Sequence, residues 1–366
     1  MAAFFVIKAK PAMQKQPYNA QNLFIYLLAR LFRNTIMKTT IKFAAVTAIA
    51  LSSLSAHAGL YCVFDPLGTQ GPAFGIAKDF ALVAKQWGIP LTLKAYTDER
   101  VVTEDFKAGQ CDGIAVTTLR GRQFNHFVGS LDSVGAVPTN KHLRVALQAL
   151  ASPQMAPAMT TGQYEVIGVA PLGGAYIMVR DRAINSIEKA AGKKIAVLDY
   201  DKSQAKMAQQ MGLQPVASDI TSFAAKFNNG QVDIIAAPAI AYKPFEIYKG
   251  LGTTGAVYRF PLIQMTGMML IRKDKWPADL GAKARAYSLT QLDRAEVLAK
   301  QAEDTIPANY WMELSAADKA KYVIMMRESR ILLTQDGTYD PKMMKLLKKV
   351  RCKLDASAAE CSDNVE

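Results

Sequence analysis

Histidine is nearly absent: the 366 residues contain three, and only His126 and His142 lie beyond residue 58. There is no Cys-x-x-Cys and no paired-histidine spacing, so neither a zinc-type ligand set nor a nucleophile-histidine constellation is visible. The chain also lacks Gly-x-Ser-x-Gly, His-Glu-x-x-His and a phosphate-cradling Gly-x-x-x-x-Gly-Lys-[Ser/Thr], the signatures of several large enzyme classes. No stretch approaches the roughly 20 uncharged apolar residues of a permanent helical anchor. Basic residues are interleaved with acids, without a stripe, which argues against a nucleic-acid partner. No cofactor and no metal are called for.

Acidic residues are missing altogether from the first 58 positions, which hold seven Lys or Arg. Within them, Met37 opens MKTTIKFAAVTAIALSSLSAHAG: a basic start at Lys38 and Lys42, twelve apolar or small residues from Phe43 to Leu54, and Ala56-His57-Ala58 as a cleavage signal. Residues 37–58 therefore read as a secretory signal peptide cut after Ala58, which places the exported protein in the periplasm. The signal begins at an internal methionine, so residues 1–36 read as an extension created by a start codon assigned too far upstream; an amphipathic, membrane-contacting extension is the alternative. Without residues 1–58, the remaining 308 carry 37 basic and 31 acidic side chains, a net +6 against +13 for the whole chain. A soluble monomer with a solvated surface is expected.

All four cysteines, Cys62, Cys111, Cys352 and Cys361, fall in the exported portion, where disulfides are the default. Three pairings are open. A local Cys352–Cys361 clip would leave Cys62 with Cys111, closing a loop of about 50 residues.

One decapeptide is written twice. FKAGQCDGIA at 106–115 returns as FNNGQVDIIA 121 positions later. Each copy ends a similar series of patterns. In the first half these are a strand at Leu60–Phe64, a helix over Phe74–Trp87, a strand near Leu91–Ala95, a helix over Glu99–Lys107 and a strand at Ile114–Val116. In the second they are a strand at Lys194–Leu198, a helix over Gln204–Met211, a short strand at Pro215–Val216, a helix over Ile220–Phe227 and a strand at Ile234–Ala236. In each copy the phenylalanine anchors the helix end, the glycine caps it in left-handed conformation and the aspartate opens the next strand. Two β-α-β-α-β units imply two α/β lobes, each a mostly parallel sheet with flanking helices. Crossing segments at Tyr164–Val169 with Gly173–Val179, and back at Gly267–Arg272, assign residues 59–170 and 268–366 to the first lobe with C-terminal helices, and 171–267 to the second. Residues 282–352 read as helices, with methionine-rich stripes belonging to the core.

From Tyr164 to Asp304 the chain resembles the periplasmic solute receptors of tripartite (TRAP-type, DctP-like) transporters, which have the type II two-lobe periplasmic-binding-protein fold. The resemblance is carried by Ala191-Gly-Lys-Lys-Ile-Ala-Val197, by Phe223 through Asp233, and by Met268-Met-Leu-Ile-Arg-Lys-Asp-Lys-Trp276-Pro. It implies venus-flytrap closure around a small ligand and delivery to an inner-membrane permease. Those receptors carry a carboxylate-binding arginine where this chain has Ala196, so Arg120, Arg122 or Arg180 would have to substitute.

Ligands of open α/β sheets sit beyond the carboxyl ends of the strands, often at helix N-termini. That selects Asp65, Thr69, Gln70, Thr117, Thr118 and Arg120 in the first half, and Asp199, Tyr200, Ser203, Gln204, Pro238 and Tyr242 in the second, with capping the competing role for Asp199 and Ser203. Tyr176 and Gln264 lie near the crossing strands as ligand contacts or hinge packing. The expected function is capture of a small polar or anionic molecule in the interlobe cleft without chemistry. A hydrolase or dehydratase on the same scaffold, or a ligand-sensing envelope protein, are the alternatives.

Overall fold

The computed structural model describes residues 58–363 and 365–366. The expected signal peptide, through His57, and the expected upstream extension lie outside the described residues. Ten strands form one sheet: β1 (Gly59–Phe64), β2 (Leu91–Tyr96), β3 (Gly113–Thr117), β4 (Thr160–Thr161), β5 (Tyr164–Val179), β6 (Lys194–Leu198), β7 (Gln214–Ser218), β8 (Ile234–Pro238), β9 (Ala256–Arg272) and β10 (Trp311–Met312). Their order is β2-β1-β3-β9-β5-β8-β6-β7, with β4 beside β5 and β10 beside β9. β1 pairs in parallel with β2 and β3, and β6 in parallel with β7 and β8. Read outward from the centre, both halves run third strand, first strand, second strand, as expected when β-α-β crossovers repeat with one handedness. Helices Pro72–Gln86 and Glu99–Lys107 connect the first set, and helices Lys202–Gln210 and Phe223–Asn228 the second.

The duplicated decapeptide makes the same joint in both places. Phe106 and Phe227 are fully buried, each contributing roughly 1.5–3 kcal/mol by leaving water. Gly109 and Gly230 take φ of +78° and +72°, values that cost a side chain bearing Cβ. Asp112 accepts a hydrogen bond from the Leu60 N–H at 2.8 Å and Asp233 one from the Lys194 N–H at 2.9 Å, so each carboxylate fixes the start of the neighbouring strand. Two arginines complete the pattern. The Arg272 side chain donates to the Phe106 carbonyl at 2.9 Å, and that of Arg180 to the Phe227 carbonyl. Each lies at the open carbonyl end of a helix, where a cation is favoured. Arg180 is thus held at a helix terminus.

The halves are joined by the long antiparallel pair β5 and β9. The sequence pattern splits β5 at Pro171–Gly173, but the backbone continues through it. Register shifts between Val166 and Gly168 and between Pro171 and Gly173 absorb the proline's missing N–H and the +95° φ of Gly173. β9 begins at Ala256, well before Gly267, because Pro261 masks a continuous strand that is bulged and not broken. Ala170 and Gly267 face each other as register partners.

Helices Leu280–Thr290 and Leu292–Asp304 pack on β5. Helix Ala316–Gln335 buries Tyr322 and Met326 beside Tyr258, and helix Pro341–Leu354 buries Met343, Met344 and Leu347 in the cluster that holds Leu143 and Leu147. The methionines there are core. Cys62 is bonded to Cys111 and Cys352 to Cys361. The second disulfide sits beside a buried clasp. Arg330 Nε is 2.6 Å and Arg351 Nη2 2.9 Å from Glu366 Oε1, while Arg330 and Arg351 also donate to the Val134 and Ala136 carbonyls. No helix among the described residues is long and apolar enough to cross a membrane.

Candidate ligand-binding cleft

A cavity of about 410 Å³ lies where the two halves meet, within the size range of small-molecule sites. The first half contributes Phe64 and Leu119, the second Val197 and Leu198, and the crossing strands Ala175, Ile177, Leu262 and Met265. Of the candidates named from sequence, Asp65, Thr117, Gln204 and Pro238 line it.

Asp65 is buried and saturated. Oδ1 accepts from the Leu67 N–H at 2.9 Å, and Oδ2 from the N–H groups of Ala73 and Phe74 at 2.8 and 3.1 Å. It therefore fills the N-terminus of helix Pro72–Gln86, where dipole and free N–H groups favour an anion. A Cβ on Gly71 would fall 1.7 Å from its carboxylate. Gln204 is likewise spent: Oε1 accepts from the Leu198 N–H at 2.9 Å and Nε2 donates to Asp201 at 3.3 Å.

Thr117, Thr118 and Arg120 stand beside the cavity in a polar network. The Thr117 N–H donates to Glu99 Oε1 at 2.6 Å, and Thr117 Oγ1 accepts from the Arg120 N–H. Glu99 is fully buried, and burial pushes its carboxyl up against the opposing pull of Thr117 and the Arg120 charge. Arg120 Nε lies 3.7 Å from Glu99 Oε2, too far for a hydrogen bond, and its guanidinium stacks 3.5 Å over the Tyr200 ring. The Tyr200 hydroxyl reaches Glu99 Oε2 at 3.4 Å. Burial raises the Tyr200 phenol, with the Glu99 charge adding to it. Thr118, Thr266 and Asp132 form a second cluster in which Thr266 Oγ1 lies 2.7 Å from Thr118 Oγ1 and 2.6 Å from Asp132. Desolvation pushes the Asp132 carboxyl up to about 7 despite these bonds.

Arg122 bridges the halves. Its Nη1 donates to Asp201 Oδ1 at 3.0 Å, with the two side chains 14% and 2% exposed. Asp201, not Asp199, caps helix Lys202–Gln210: it accepts from the Ser203 N–H and hydroxyl, while Asp199 is exposed. The rest are elsewhere. Thr69 and Gln70 are exposed in the turn Gly68–Gln70. Tyr242 is buried against Tyr248. The Tyr176 hydroxyl donates to Glu303 at 2.6 Å, and its ring meets Trp311 edge-on. Gln264 is buried and its Oε1 has no hydrogen-bond partner. Ala196 is nearly buried at the wall.

Sequence reasoning missed Glu99 and Asp201, whose only local signal was a place at a helix start. It also missed the apolar wall, where Leu119, Ala175 and Met265 carry no mark that separates them from core residues. Among the described residues no group of three or more His, Cys, Asp or Glu could hold a metal ion.

Comparison with known proteins gives a consistent picture. Residues 81–366 match the family model described as Solute-binding protein AdeT 1/2. The "Probable solute-binding protein AdeT1" of Acinetobacter baumannii is 51% identical over 304 residues, which are 83% of this chain and all of that one. AdeT2 of the same organism is 30% identical over 234 residues, 64% of this chain and 98% of that one. Among solved structures, a TRAP periplasmic solute binding protein from Desulfovibrio salexigens with bound orotic acid superposes with a TM-score of 0.66 at 16% identity, covering 81% of this chain and 99% of the other. That likeness is one of fold: a mixed α/β sheet with flanking helices in the two-lobe arrangement.

Proposed function

Because this chain belongs to the AdeT 1/2 family of solute-binding proteins, we propose that it is a periplasmic receptor that captures a small molecule between its two halves and presents it to an inner-membrane permease. The carrying observation is the cavity of about 410 Å³, walled by both halves and flanked by contacts that join them, Arg122 with Asp201 and Arg120 with Tyr200. Capture then couples to closure: a ligand that touches both walls stabilises the state in which these bridges form.

Binding without turnover is supported by the way the polar wall groups are used. Asp65, the one carboxylate on the wall, is tied to backbone amides, which leaves it unavailable as a general base. Thermal unfolding of the purified protein against organic acids, amino acids, sugars and lipid-derived compounds tests the reading. One class is expected to raise the melting temperature with a dose dependence set by mass action, and small-angle scattering should contract with it. A ligand consumed during the assay would replace the receptor with an enzyme. Recovery of a permease on the loaded but not the empty protein would separate delivery from sensing.

A further inference from the structure

The character of the cavity narrows the ligand, on the premise that the cavity is the site of capture. Among the described residues that line it there is no Lys, Arg or His, and the one carboxylate, Asp65, is saturated by three backbone N–H groups. Neither nearby arginine lines the cavity: Arg120 stacks on Tyr200 beside Glu99 with its Nε unpaired, and Arg122 is held by Asp201 and the Gly129 carbonyl with its Nη2 unpaired. An anion entering this wall would lose its water and meet no counter-charge, whereas apolar surface entering it gains by leaving water.

The remaining polar atoms narrow it further. Three tyrosines reach the wall. The Tyr61 hydroxyl donates to the Ile114 carbonyl at 2.8 Å and that of Tyr258 to the Ile184 carbonyl at 2.6 Å. Tyr322 is 1% exposed, and its hydroxyl is buried in the protein toward that of Tyr258. None of these three hydroxyls is offered to the cavity, so the wall gives an entering ligand apolar surface and few polar partners.

We propose that the cavity takes a small neutral, predominantly apolar molecule whose body lies along Phe64, Leu119, Ile177, Leu262 and Met265.

The test uses the purified full chain and N-phenyl-1-naphthylamine, a neutral apolar dye that fluoresces on leaving water. The dye lights up, 1-octanol and 2-octanone displace it, and succinate and galacturonate fail to do so at about 1 mM, near the weak limit of specific binding. Met265→Trp, which fills part of the cavity, weakens dye binding by about tenfold, the size of a modest overpacking clash. A Met265→Trp protein that unfolds cooperatively with its dye affinity intact overturns this cavity as the site. If the acids bind and raise the melting temperature while dye and alcohol do not, the ligand class falls and solute capture stands. If neither class binds, both fall.

Discussion

The Arg122–Asp201 pair gives the sharpest test of how the halves are held. It spans 79 residues of sequence, its N–O distance is 3.0 Å, and it is nearly dry. Asp201→Asn keeps a good helix cap over Ser203 and an oxygen facing Arg122 but removes the charge, which leaves the buried Arg122 cation hydrogen-bonded only to neutral acceptors, that oxygen and the Gly129 carbonyl. Breaking one side of a buried pair costs about 3–5 kcal/mol, most of it the stranded charge. Arg122→Met strands the carboxylate in the same way, softened by the Ser203 donors, so about 2–3 kcal/mol is expected. The double variant strands neither, and its loss should fall short of the sum by about 2 kcal/mol. Urea unfolding of the four proteins reads this coupling, and dye affinity measured alongside should show the same non-additivity if the pair also holds the cleft shut. Raising salt to about 0.5 M should change the coupling little, because a buried pair is poorly screened. Losses that add to within about 0.5 kcal/mol would refute the bridge.

Other consequences follow from single observations. Replacing Cys62 and Cys111 by alanine opens a closure of 49 residues and should cost about 4 kcal/mol in a denaturant titration. Asp132 has a carboxyl raised from 3.8 to about 7, so the native state holds more protons than the unfolded one across that window. Stability should fall as pH rises from about 4 to 7, by at most about 4 kcal/mol, and level off above; a melting temperature that rises steadily through this range would contradict it, and Asp132→Asn should flatten the profile. Gly71→Ala would drive a methyl into the Asp65 carboxylate and is expected to cost about 1–3 kcal/mol by calorimetry. Glu366→Gln removes one of the two carboxylates that face Arg330 and Arg351, leaving Glu360 in place, and should lower stability by about 1–2 kcal/mol, while truncation after Lys353 removes both and should lower it further.

What the sequence determined by itself is the duplicated unit. Helix and strand periods, glycine stops and the repeated decapeptide are signals contained within a few neighbouring residues, so the order of elements in each half, the left-handed Gly109 and Gly230, and the exit of Asp112 and Asp233 into strands could all be read in advance. Even there, Pro171 and Pro261 concealed how far β5 and β9 run, since a bulge that absorbs a proline is stabilised by the strand alongside and not by local sequence. Tertiary structure decided the rest. Arg120, Arg122 and Arg180, all plausible ligand clamps in a linear reading, are committed to Glu99 and Tyr200, to Asp201 and to the Phe227 carbonyl. Whether a charge is free or paired, and whether an apolar side chain fills a core or faces a void, depends on which groups meet across many tens of residues, and short-range patterning carries no record of that meeting.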